Sequence, residues 1–241
     1  MPYSIEEILK EYEILVKGIE AKANDDKKRA FGGIVRAGKG KLVESIARNM
    51  VEIAWESVGG RPERLSFEKQ IIKIPINKPY IEKLKQKEVR DNIYNNISDY
   101  YYGLKTDVHV LIDNNMVMGI ECKAYTENAM LKRIMVDFML LKKVVPNISC
   151  VLIQLESQLT GDYSDPKKRI NYGSHSSHTI MSYFDVDLNI ITLLEGERKV
   201  DEPIHNSKYY KELKRDNLEK GITTISNLLK LYKSTANYPE G

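Results

Sequence analysis

Apolar residues recur along this chain with two periods. Behind Ser4, which can cap a helix whose first turn holds Glu6 and Glu7, the residues Ile8, Leu9, Tyr12, Leu15 and Val16 fall on one face and predict a helix to about Gly18. A stronger helix is predicted over residues 41–58, with Val43, Ile46, Met50, Ile53, Ala54 and Trp55 as its apolar surface and Gly59, Gly60 and Pro62 as its stop. Residues 65–76 alternate as a strand does, through Ile72, Ile74 and Ile76, until Pro75 and Pro79 break the pattern. Two further strands, residues 104–112 and 116–123, are joined by a turn at Asn114-Asn115, and the second is almost continuously apolar, as buried strands are. A helix over residues 126–143 carries Leu131, Ile134, Phe138 and Leu141 at helical spacing, and Met130, Met135, Val136 and Met139 fill much of the rest of its circumference. Strands at 149–155 and 188–195 and a helical region at 207–233 complete the reading.

A strand, a helix and a strand in succession imply a right-handed crossover with parallel pairing beside the 104–123 hairpin. The expected fold is therefore α/β, a central mixed β-sheet flanked by helices. Nothing like a linker divides the chain, so residues 1–241 are expected to form one domain, with a core at about 41–195 and helical appendages at both ends.

Three stretches escape both periods. Residues 27–41 hold six basic residues and no acid, interrupted by Gly32, Gly33, Gly38 and Gly40, which suits either a solvated basic loop or phosphate contacts through Arg36, Lys39 and Lys41. A charged helical excursion at 79–91 leads into residues 91–103, rich in Asn and Tyr, which can be a loop touching nucleic acid or a rigid lead-in to the core. Residues 158–177 are expected to be the longest loop, with Lys167, Lys168, Arg169 and Asn171 as donors suited to base edges, the alternative being a mobile surface insertion.

Composition narrows this only a little. Charged residues make up 29% and hydrophobic residues 42%, enough for a core. The net charge of +3 does not announce a nucleic-acid partner, which would have to meet a local basic face. No apolar stretch approaches a membrane span and none resembles a secretion signal, and Cys122 and Cys150 read as small core residues in a reducing compartment, so a cytoplasmic home is expected.

The chemistry gathers on the hairpin. Asp107 opens its first strand, and Glu121, Cys122 and Lys123 close its second, fourteen residues on, so the acids meet at one end, with Glu121 and Lys123 sharing a face. Two carboxylates this close call for a positive charge between them, and a hard divalent cation such as Mg²⁺ prefers such oxygens. A lysine beside them can hold and help deprotonate a water, so the three groups suit hydrolysis of a phosphodiester. Taken without context, the same residues are a solvated rim or one salt bridge.

Thr106-Asp107 followed by Glu121-Cys122-Lys123 resembles the PD-(D/E)xK nuclease superfamily, and the single-domain size is similar to type II restriction endonucleases. Thr106 stands where that pattern has proline. The resemblance implies a restriction-endonuclease-like core, Mg²⁺ held by Asp107 and Glu121 with the main-chain carbonyl of Cys122, and Lys123 orienting the attacking water. It also implies double-stranded DNA as substrate, and a homodimer, since cutting both strands of a palindrome needs two centres. Glu44 is a candidate for an extra acid near the metal, although Glu44, Arg48, Glu52 and Glu56 also read as a solvated stripe. Lys132 and Arg133, early in the helix after the hairpin, are further candidates for phosphate contacts. The competing readings are a junction-resolving or repair nuclease and a catalytically silent DNA-binding protein.

Two other motifs fail on their own terms. Gly33 to Lys39 nearly spells a nucleotide phosphate-binding loop, but Gly40 stands where Ser or Thr must hold Mg²⁺ and no apolar strand precedes it. His175 and His178 have a zinc-like spacing with no second ligand pair to complete it.

Overall fold

The computed structural model describes residues 4–25, 31–68 and 70–233, with side chains described for all of these except 19–25 and 31–37. The elements run α1 (Ile5–Asp25), α2 (Phe31–Ser57), β1 (Leu65–Glu68), β2 (Ile72–Pro75), α3 (Lys78–Lys83), α4 (Lys87–Asn95), β3 (Tyr101–Leu104), β4 (Val108–Ile112), β5 (Asn115–Glu127), α5 (Asn128–Lys142), β6 (Ser149–Gln158), α6 (His175–Met181), β7 (Leu188–Thr192) and α7 (Arg215–Leu229).

The central sheet is mixed, in the order β1-β4-β5-β6-β7. β1, β4 and β5 are antiparallel, whereas β5, β6 and β7 run parallel. Both faces are covered, which is why β5 and β6 read as apolar runs rather than alternations. On one face Ile120, Cys122, Val151 and Ile153 pack against α2 and α7, with α1 outside them through Ile8, Tyr12 and Val16. On the other, Cys150 and Leu152 pack against Ile134, Phe138 and Leu141 of α5. Gly119 of β5 lets α5 approach: a Cβ there would lie 3.1 Å from the Phe138 ring. Gly221 does the same between α7 and α2, where a Cβ would lie 2.5 Å from the Met50 methyl.

The expected mixed sheet, hairpin and parallel crossover strand are all present, but several boundaries move. The hairpin turn sits at Asp113-Asn114, both with positive φ (51° and 62°), the backbone of a tight hairpin turn that Asp and Asn tolerate. The strand expected at 104–112 is two strands with Asp107 between them, because Thr106 and His109 fix a tight corner there. Likewise the 65–76 strand divides: β1 joins the main sheet, while β2 leaves it to pair with β3 in a two-stranded ribbon. β5 runs on through Thr126 and Glu127, expected to start the helix, since β6 is long enough to pair with both.

The glycine-rich stretch is also not the expected loop: residues 31–40 are the first turns of α2. Each glycine costs a helix about 1 kcal/mol, but the apolar segment behind it has already met the cost of nucleation, so adding turns is easier than starting them. A side chain at Gly40 would meet nothing within 4 Å, so close packing does not explain that glycine. The stripe Glu44, Arg48, Glu52 is half-buried rather than solvated, with the Arg48 guanidinium 5.5 Å from the Phe67 ring centre and burial raising the Glu52 carboxyl. Among the described residues no helix is long and apolar enough to cross a membrane.

Candidate active site

The corner before β4 is built from buried polar groups. Thr106 is buried; its hydroxyl donates to the Val108 carbonyl (3.1 Å) and its amide donates to Nε2 of buried His109 (3.1 Å). That nitrogen accepts, so His109 carries a proton on Nδ1. A proline at position 106 would have no N–H to give, so the departure from the superfamily pattern is met here by a hydrogen bond only a non-proline can make.

The corner sets Asp107 beside Glu121, because Val108 pairs with Ile120 in the hairpin. Asp107 Oδ2 accepts the main-chain N–H of Cys122 at 2.8 Å and the Lys123 ammonium at 2.9 Å, and the same ammonium donates to Glu121 Oε2 at 2.6 Å. One cation thus bridges two carboxylates midway along the central strand, just past the point where its pairing with β4 stops. Burial pushes the Glu121 carboxyl up to about 7; Lys123 opposes this and the charge on Asp107 adds to it. For Lys123, burial alone would lower the ammonium, but the two carboxylates outweigh it and hold it above its ordinary value. Lys123 is therefore a charged donor at neutral pH and not a free base.

The flanking helices add two acids. Glu44 on α2 lies near enough to help raise the Cys122 thiol, after burial, Asp107 and Glu121. Asp137 on α5 raises Glu121 further and is itself raised by burial.

No family model matches the chain. The type II restriction enzyme DdeI of Desulfomicrobium norvegicum is 54% identical to it over 211 residues, 87% of this chain and 88% of that protein. This chain belongs to the type II restriction endonucleases. As a restriction endonuclease it is a site-specific endodeoxyribonuclease, a class that works with a divalent metal. Among solved structures, the native BbvCI tetramer aligns over 95% of this chain and 92% of its own at 12% identity and a TM-score of 0.38.

The residues present fit a hard cation. Asp107 and Glu121 supply carboxylate oxygens, and an ammonium already occupies the position between them. In an extended strand the N–H and C=O of one residue point to the same side, so the Cys122 carbonyl faces the side of Asp107, to which its amide is bound. Among the described residues no group of three or more His, Cys, Asp or Glu is arranged to hold a metal, so this oxygen set would be completed by water, as Mg²⁺ sites commonly are.

The other candidates in this endonuclease are scattered. Lys41 and Lys132 are exposed, Lys39 is half-buried, and Arg133 is exposed with Asp137 3.8 Å away. Arg36 lies in α2, its side chain outside the described residues. In the 159–174 loop, Lys167 pairs with Glu195 at 3.4 Å, Lys168 lies within 4.0 Å of Asp162 and 3.8 Å of Asp165, and Arg169 is exposed. Asn171 is a brace, donating to the Asp162 carbonyl and accepting from Lys220. Asp162 in turn accepts the amides of Tyr172 and Gly173, so this loop is built rather than slack.

Sequence reasoning missed His109, Asp137 and Arg198. The Arg198 amide is bound to the Ser157 carbonyl, and its guanidinium lies 3.6 Å from the centre of the Tyr125 ring and donates to Gln158 Oε1 at 2.8 Å. Tyr125 follows Glu121 and Lys123 at strand spacing on the same face, so a fixed cation stands two residues beyond the lysine. No local pattern marks Arg198, because seventy-three residues separate it from Tyr125.

Proposed function

We propose that this restriction endonuclease is a Mg²⁺-dependent cytoplasmic homodimer that hydrolyses both strands of a specific DNA sequence. Asp107, Glu121 and the Cys122 carbonyl hold the metal, with Glu44 as a nearby further acid. The observation that carries this reading is the Lys123 ammonium shared between Asp107 and Glu121 midway along β5. Bound there, Mg²⁺ would supply charge to the phosphate and acidify a water. Lys123, released from one or both carboxylates, donates to the attacking water and orients it toward phosphorus. The test is incubation with phage DNA with and without Mg²⁺. Discrete fragments formed only with Mg²⁺ are expected; intact DNA would overturn the reading, and a smear would favour a nonspecific or structure-selective nuclease.

The raised Glu121 carboxyl gives a pH dependence with a definite sign. Between its ordinary value of 4.5 and its folded value of about 7, the metal-free protein holds a proton that a cation must displace. Apparent Mg²⁺ affinity should therefore rise as pH climbs through about 7, with up to about one proton released per ion below that point. The same proton favours the metal-free folded state at low pH, and that stability is lost as pH rises through the same window. Calorimetry in two buffers of different ionisation enthalpy measures the release; an affinity flat with pH would contradict it.

Arg198, stacked on Tyr125, is assigned to a phosphate flanking the cleavage site. Arg198→Ala should weaken DNA binding and lower the slope of log affinity against log salt by about one, because one counterion fewer is released. A purely structural Arg198 would leave that slope unchanged.

A further inference from the structure

Between β1 and β4, adjacent strands of the central sheet, the chain leaves the core and returns three residues before Asp107. The excursion comprises β2, α3, α4 and β3. Its ribbon pairs Ile72 with Leu104 at the end near Asp107 and Pro75 with Tyr101 at the other. The inner face is the anchor: Ile74 and Leu104 are buried and pack with Ile134 and Phe138 of α5. On the outer face Lys73, Pro75, Tyr101 and Gly103 are all exposed, and the Lys73 ammonium lies 4.3 Å from the centre of the Tyr101 ring.

Two properties set this excursion apart. Residues 70–105 hold seven Lys or Arg (Lys73, Lys78, Lys83, Lys85, Lys87, Arg90, Lys105) and four acids, a net +3, while the whole chain is 37 − 34 = +3. The rest of the protein is thus neutral overall, and the entire surplus lies in the excursion that leads into Asp107. Among the described residues none of these seven cations is in an ion pair with an acid, unlike Lys167, Lys168 or Lys211 elsewhere. The same stretch also carries seven of the sixteen large apolar or aromatic side chains that are exposed among the described residues, Tyr80, Tyr94, Tyr101 and Tyr102 among them. Unneutralised cations interleaved with exposed tyrosines suit a polyanion with stackable or apolar groove edges.

We propose that the 70–105 excursion is a DNA-contacting arm that lays the outer face of its β2–β3 ribbon, centred on Lys73 and Tyr101, along duplex DNA led over Asp107. A two-stranded ribbon has the width to enter a major groove, and the lysines of α3, α4 and the link between them contact phosphates beyond it. The near end of the ribbon is fixed to α5, so the arm sets the register of the duplex on the catalytic pair. Surplus positive charge argues for DNA over a second copy of this chain, whose arm would repel its twin.

The inference rests on the endonuclease reading, and two measurements keep them apart. Cleavage of phage DNA by the wild-type protein tests the reading alone. The arm is tested by fluorescence anisotropy with a labelled mixed-sequence duplex at low salt, for wild type, Lys73→Ala with Tyr101→Ala, and Lys83→Ala with Lys85→Ala and Lys87→Ala. All these side chains are exposed, so thermal stability should be little changed. Affinity is expected to fall about tenfold or more in each variant, and the salt slope by about one for the first and two to three for the second. Unchanged affinity and slope would overturn the arm. So would a sedimentation profile without DNA that shifts to a smaller species in the variants, which would make the arm a self-association surface.

Discussion

Lys123→Ala is expected to lower the rate of DNA cleavage about a thousandfold or more while leaving DNA binding in Ca²⁺ close to wild type. The ammonium is the only group donating to both Asp107 Oδ2 and Glu121 Oε2 among the described residues, and it is held charged by them. Removing it takes away the donor that orients the water and leaves two carboxylates facing each other. The metal-free variant should accordingly hold the Glu121 proton to higher pH and gain more thermal stability from added Mg²⁺ than wild type does. Lys123→Arg keeps the charge but presents a planar fork in place of a point donor, so it should rescue stability better than cleavage. Single-turnover rates at saturating metal decide the matter. An alanine variant cleaving within about tenfold of wild type would remove Lys123 from the chemistry, since even one lost donor usually costs more.

The second large effect separates charge from shape at Asp107. Asp107→Asn keeps an oxygen that can accept the Cys122 amide, so its fold and stability should be nearly those of wild type. It loses the negative charge that a cation and Lys123 require, and cleavage should fall by about a thousandfold or more, with Mg²⁺ binding weakened in parallel. Asp107→Ala should match it in cleavage but lose a further stability of about 1–3 kcal/mol, because the Cys122 N–H is left without its acceptor. Denaturant unfolding and metal titration on the two variants test both halves. An asparagine variant that still cuts DNA with Mg²⁺ would show that Asp107 is not a ligand.

These expectations were legible in the sequence only where chain-local signals were strong. The hairpin around Asp113-Asn114 was readable because two apolar runs flanked a turn, although the residues in the turn were misplaced by one. β6 was readable as a parallel partner because a helix separated it from β5. By contrast, the basic glycines of residues 31–40 read as a loop, since intrinsic propensity is a weak guide beside a strong helix that can propagate into them. Residues 126 and 127 read as a helix start because Thr126 and Glu127 fit the first turn of one; pairing with Ser157 and Gln158 kept them in the sheet.

The sequence alone was enough for the order of the hairpin, helix and parallel strand and for the meeting of Asp107, Glu121 and Lys123, the trio proposed here as catalytic, because strand periodicity and one short turn suffice to bring them together. Tertiary structure alone decided the rest. It brought Glu44 and Asp137 toward the trio from opposite faces of the sheet, stacked Arg198 on Tyr125, and sent β2 and β3 out of the core as a charged arm. These are proximities between residues of different elements, fixed by which surfaces are buried together, and no periodicity within any one segment records them.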